Sequence, residues 1–443
     1  MRWCFLSFAL LALAGCSPRT KVVEIDAAST SAGLSDVEPA SFAKTDWPMW
    51  RGPNGNNIVP DSDAPLVWSE SENVVWKSPV PGRGHGSPIV VGSQVFLATS
   101  DKGSQTQSIL AFDRATGKQL WSKQVGKGEL TSKMHAKSTH ANGTLACDGK
   151  LVFGAFLNHD SIHVVAVSVD GELAWTMKVG AFASNFGYAP SPTIFGPLVI
   201  IAADNQGGGY LAGLNRNTGD IVWRKSRGNA SSYSSPIVGK VNGKHQLLIS
   251  GNDKLAGYDP MTGKEFWSLP AIAQATCGTA VFNETMVFAS GGYPNKQTIG
   301  VTCEGSATQT WSNGKKIYEP SMLLVGDHLY GITDAGVAYC WQAATGDEAW
   351  KKRLGGNFSA SPILVRDQIL AMSDNGSCIV FQATADGFKS TARNQLGDDA
   401  YATPTVAGND IFIRIGTGSA GKRQEFLYRI GKSDTDSNQV TQP

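Results

Sequence analysis

Trp76, Trp121, Trp175, Trp223, Trp267, Trp311 and Trp350 recur at steps of 45, 54, 48, 44, 44 and 39 residues. A four-stranded propeller blade takes about 40–45 residues, so this period points to a β-propeller before any chemistry is considered. In five units a glycine stands four residues ahead of the tryptophan: Gly117, Gly171, Gly219, Gly263 and Gly346. That spacing reads as a hairpin turn running into a strand.

The start of each unit is marked as regularly. Ser87-Pro88, Ser191-Pro192, Ser235-Pro236, Ser361-Pro362 and Thr403-Pro404 open alternating apolar stretches, with weaker copies near Thr144, Thr279 and Met322. Proline suits the first residue of a strand, where its missing N–H costs no ladder bond. Eight openings predict an all-β, eight-bladed propeller with four antiparallel strands per blade. The last unit, Tyr401 to Ile430, ends without a fourth strand, whereas Trp76 sits in a strand-like Asn73–Lys77 ahead of the first opening. The N-terminal strand is therefore expected to complete the last blade and close the ring, removing edges prone to association.

Arg2 precedes an apolar run, Phe5 to Leu13, that ends in Leu13-Ala14-Gly15-Cys16. The run is too short for a permanent membrane span. It reads as a signal peptide over residues 1–15, and the motif looks like the cleavage and lipidation site of bacterial lipoproteins, with lipid on Cys16. By resemblance to enterobacterial sorting, Ser17 after the cysteine implies the periplasmic face of the outer membrane. Residues 16–46 are expected to form a flexible tether, 47–431 the propeller and 432–443 a disordered tail. With 38 Lys plus Arg against 37 Asp plus Glu, no surface for nucleic acid is expected, and the disc is expected to be a monomer. Cys147, Cys277, Cys303, Cys340 and Cys378 are scattered and read as small buried residues, with one disulfide left open.

Stretches such as Ile109–Trp121, Leu211–Trp223 and Leu255–Trp267, and the opening Trp47-Pro48-Met49-Trp50-Arg51-Gly52-Pro53-Asn54, carry a resemblance. They are similar to the repeats of pyrroloquinoline quinone (PQQ) propellers, found in quinoprotein alcohol dehydrogenases and in BamB-type outer-membrane assembly lipoproteins. The enzyme branch implies PQQ and calcium in the channel, a carboxylate base and, in many members, adjacent cysteines. This sequence has no adjacent cysteines and short blades, and Asp160, Asp204 and Glu319 read as isolated loop or turn acids. No catalytic, cofactor-binding or metal-binding residue is assigned. His135, His140, His159 and His163 read as loop residues in preference to zinc or copper ligands.

Aligning the repeats on the strand-opening position brings out one further column. His85, His140, Tyr188, Tyr233, Tyr318, Phe358 and Tyr401 stand three or four residues ahead of it, with Thr276 as the exception. These rings either gather at one channel mouth as a binding surface or wedge between blades. The blade tryptophans, and Trp341 outside their register, are expected to be packing residues. The expected function is a non-catalytic, lipid-tethered interaction scaffold of the cell envelope, similar to BamB-type factors, with an envelope protein as partner. A small-molecule or glycan binding module at the channel mouth, or a divergent PQQ-dependent dehydrogenase, is the alternative.

Overall fold

The computed structural model describes residues 21–27, 33–183, 186–303, 306–419 and 422–432. The expected signal peptide and Cys16, and the tail from 433 onward, lie outside the described residues. Blade 1 runs outward through Ile89–Val91, Gln94–Asp101, Thr106–Asp113 and Gln119–Lys127. Blades 2 to 6 repeat this meander from inner strands Ala146–Cys147, Thr193–Phe195, Ile237–Val241, Val281–Phe282 and Leu323–Val325. Blade 7 starts at Ile363–Val365 and blade 8 at Thr405–Ala407. Val74–Val80 supplies the outer strand of blade 8, pairing antiparallel with Lys422–Ile430 so that Trp76 faces Arg429. The ring thus closes as the repeat count predicts. Among the described residues no helix is long and apolar enough to cross a membrane.

The tryptophan period has a direct cause. The indoles of Trp76, Trp121, Trp175, Trp223 and Trp311 lie over the glycine turn of the next blade and donate their N–H to a carbonyl there, as Trp76 to Arg114 (3.1 Å), Trp121 to Val169 (3.0 Å), Trp175 to Arg216 (2.9 Å) and Trp223 to Pro260 (3.2 Å). Gly117, with φ near +72°, leaves no room for a side chain, since a Cβ would sit 2.6 Å from the Trp76 ring. Positive φ and ring contact both demand glycine at this turn. Trp267 departs from the rule and donates to Gln246 at 2.7 Å. Trp341 is buried and stacked on Tyr339.

One segment reaches every blade. Trp47 exchanges backbone hydrogen bonds with Val90 of blade 1, and the Pro48 carbonyl accepts from Cys147 of blade 2. The Thr193 hydroxyl of blade 3 lies on the Met49 sulfur, and a Cβ at Gly55 would meet Ile237 of blade 4 at 2.7 Å. Trp50 donates to Thr279 at the head of blade 5, and Arg51 to the Met322 carbonyl beside blade 6. Ile58–Val59 adds a parallel strand inside blade 7, and Ser62 donates to the Gly408 carbonyl at the end of the blade 8 inner strand. Residues 47–62 therefore plug the channel. Arg51 is fully buried without a carboxylate, held by the carbonyls of Gly55, Asn56 and Met322, and burial lowers its pKa to about 9.

The stretch expected to be a flexible tether is laid against the ring over its described residues. Ile25 bridges Arg224 on the outer strand of blade 3, Glu24 and Asp26 pair with Lys225, and the Glu38 carbonyl accepts from the buried Arg216. Val22, Ala40 and Phe42 pack on the core between blades 2 and 3. Apolar residues every few positions give this stretch something to bury, which composition alone conceals.

Candidate binding cavity at the channel mouth

Because the plug seals one end, the channel opens at the other as a blind cavity of about 720 Å³. Its neck is built by the strand-opening hydroxyls. The Ser87 N–H donates to the Thr144 hydroxyl at 3.0 Å, Thr144 to Ser191 and Ser191 to Ser235 at 2.9 Å. The Thr279 N–H donates to the Ser321 hydroxyl, the Ser321 N–H to the Ser361 hydroxyl and the Ser361 N–H to the Thr403 hydroxyl at 2.8 to 2.9 Å. These six links tie neighbouring blades around the axis, each contributing about 1 kcal/mol. The Thr279 hydroxyl accepts the Trp50 indole N–H at 2.8 Å instead, and Trp50 forms the floor of the cavity. The Ser-Pro and Thr-Pro pairs therefore do more than start strands.

The aromatic column divides. His85, Tyr233, Tyr318 and Tyr401 line the cavity, with His85 stacked on Tyr401 at 4.4 Å between ring centres. Tyr188 is buried, donates to the Ala202 carbonyl at 3.0 Å and meets Phe182 edge-on. Phe358 is fully buried in the core between blades 6 and 7. His140 sits with Tyr188 in a small crevice apart from the cavity. Thr276, the exception, is buried in a hydroxyl cluster with Ser232 and Ser250. Tyr188 and Phe358 are thus blade-packing residues, because at those positions the blade interface offers a carbonyl or an apolar socket that a ring fills.

Several wall residues come from loops that carry no repeat signal. Lys137, in the long connection from blade 1 to blade 2, crosses the mouth to Asp374 at 3.1 Å and Glu319 at 3.4 Å. Ser359 also donates to Glu319. The loop is latched over the cavity, with His135 and Phe186 beside it. Asp204, expected as a loop acid, is buried and paired with Arg227 at 2.8 Å. His159 is on the surface, and the described residues hold no group of three His, Cys, Asp or Glu side chains placed for a metal. The five cysteines are free, and only Cys277 reaches the cavity.

The sequence profile of the family described as outer membrane protein assembly factor BamB matches residues 22–145, 105–352 and 295–390. The chain belongs to that family. BamB of Moraxella catarrhalis superposes with a TM-score of 0.56 at 15% identity, covering 80% of this chain and 99% of that one. The quinohemoprotein alcohol dehydrogenase of Comamonas testosteroni gives 0.62 at 11% identity, covering 92% and 84%. A europium-containing methanol dehydrogenase gives 0.59 at 10% identity, covering 87% and 98%. These likenesses establish a shared propeller. No curated protein sequence matches the chain.

In this member of the BamB family both lysines that line the cavity are paired with carboxylates. Partial burial works against the charge on Lys137, yet Glu319 and Asp374 outweigh it and raise its pKa. Lys316 pairs with Asp334 at 3.2 Å. Burial, reinforced by Arg83, Arg414, Arg423 and Lys137, pushes His85 well below its ordinary value and keeps it neutral. Burial also raises Tyr401, with Asp399 and Asp374 adding to it, and lifts the Cys277 thiol to about 12, so it stays protonated.

Proposed function

We propose that this BamB-family propeller works by binding, without chemistry of its own, and recognises an envelope partner at its open mouth. The observation that carries this reading is the blind, aromatic-walled cavity under the Lys137 latch, opposite a channel end filled by the chain itself. Half-buried rings on a rigid frame are the material of recognition surfaces. The family name supports an outer-membrane setting. With lipid on Cys16, the described chain begins at Lys21, five residues on, so the anchor holds the blade 3 rim within about 18 Å of the membrane surface. The stretch between Cys16 and Trp47 then acts as a short leash with a docked continuation.

The resemblance to quinoprotein dehydrogenases implies PQQ with calcium for a cavity of this kind. The residues present do not match that group. A tricarboxylate cofactor needs free cations, and Lys137 and Lys316 are both committed to carboxylates. Calcium needs several convergent oxygen ligands, and Glu319 is already engaged by Lys137 and Ser359. Incubation with PQQ and calcium should therefore give no alcohol- or sugar-dependent dye reduction above a heat-killed control; turnover would overturn the non-catalytic reading. Replacing Tyr233, Tyr318 and Tyr401 together with alanine should abolish partner capture from solubilised envelope while the melting temperature falls by only a few degrees. Capture that survives this triple change counts against the mouth.

A further inference from the structure

Resting on the reading of the mouth as the binding face, we infer that the cavity takes a neutral glycan, with one pyranose ring lying on the Trp50 indole inside the hydroxyl collar. Three independent features of the site lead there. First, the floor is a flat aromatic surface fixed by its hydrogen bond to Thr279 and left half-exposed to the cavity. It offers an apolar face to the C–H face of a sugar ring. Second, the collar surrounds that floor with eight hydroxyl groups. Six accept a backbone N–H from the preceding blade, and among the described residues none of the eight donates to a protein acceptor. Their protons are left for a ligand whose rim is rich in oxygen acceptors. Exposed side-chain amides at Gln206 and Gln274 extend the same donor and acceptor chemistry up the wall. Third, Lys137 and Lys316 are both paired with carboxylates, so an anionic ligand finds no unpaired counter-ion at either lysine. A cavity of about 720 Å³ falls inside the usual range for small-ligand sites, about 300–1,000 Å³. Flat face, hydroxyl rim and lysines already paired together describe an uncharged sugar better than a planar anion.

The test is isothermal titration of the full chain with maltotriose, cellotriose and triacetylchitotriose, beside a triuronate of equal length. At least one neutral trisaccharide should bind with a Kd on the order of 1 mM or tighter, and the triuronate at least about tenfold more weakly. Trp50→Ala should weaken binding by about tenfold or more, while Trp50→Phe, which keeps a flat ring, stays within about threefold. Gln274→Ala, at an exposed site, supplies a second reading should Trp50→Ala fail to fold, and should weaken binding about threefold. No binding by any neutral sugar, tighter binding by the triuronate, or affinity indifferent to both Trp50 and Gln274 overturns the inference. If every sugar fails while the tyrosine triple variant still loses its envelope partner, the glycan assignment falls and the binding face stands.

Discussion

The two ends of one channel are built from the same eight inner strands and put to opposite use. At the plugged end, residues 47–62 touch every blade and bury Arg51 among carbonyls. At the open end, half-buried rings and a latched loop surround empty volume. Where the backbone satisfies itself the channel is filled; where side chains are left half-exposed it stays open as a cavity.

Breaking the frame, at its closing strand or at the plug, should be the more costly. Removing Val74–Val80 takes the outer strand from blade 8 and the Trp76 contact from blade 1, and circular dichroism should show loss of the cooperative fold. A monomer with nearly normal melting would contradict closure by that strand. Arg51→Leu leaves the carbonyls of Gly55, Asn56 and Met322 without their charged donor and should cost about 3 kcal/mol or more in urea unfolding.

Within the aromatic column, Phe358→Ala and Tyr188→Ala should each lose about 3–5 kcal/mol, as for core rings. Tyr233→Ala, Tyr318→Ala and Tyr401→Ala should each lose only about 1 kcal/mol. Equal losses across the five would erase the distinction between blade packing and mouth.

A smaller effect concerns pH. His85 has a folded pKa below its unfolded value, so below about pH 6.5 the unfolded chain binds the extra proton and stability falls as pH falls. His140 and His163, lowered mainly by burial, act in the same direction. The urea midpoint should drop between pH 7 and pH 5, and His85→Gln should flatten part of that drop. A parallel slope in the variant would mean that His85 does not carry the dependence.

The fold was legible because its signals are local. Gly117 and Trp76 are far apart in sequence, yet each belongs to a short motif repeated around the ring. The Trp76 strand could be placed because the last unit visibly lacked one. The site was legible in part. Spacing placed His85, Tyr233, Tyr318 and Tyr401 in the right column, but could not tell them from Tyr188 and Phe358, whose direction depends on whether the neighbouring blade offers a socket. Five of the eight collar hydroxyls were in view as Ser-Pro and Thr-Pro pairs, though the hydroxyls' partners are backbone N–H groups about 40 to 57 residues away. Lys137 and Trp50 belong to unrepeated segments, where periodicity says nothing.

The most direct test places a photo-crosslinking amino acid at Tyr293, exposed at the mouth, and separately at Asn54, exposed at the tip of the plug, in cells carrying the full chain. Crosslinks to one defined envelope partner from Tyr293 and none from Asn54 are the predicted result. The same partner captured from Asn54 and not from Tyr293 would contradict the assignment of binding to the open mouth.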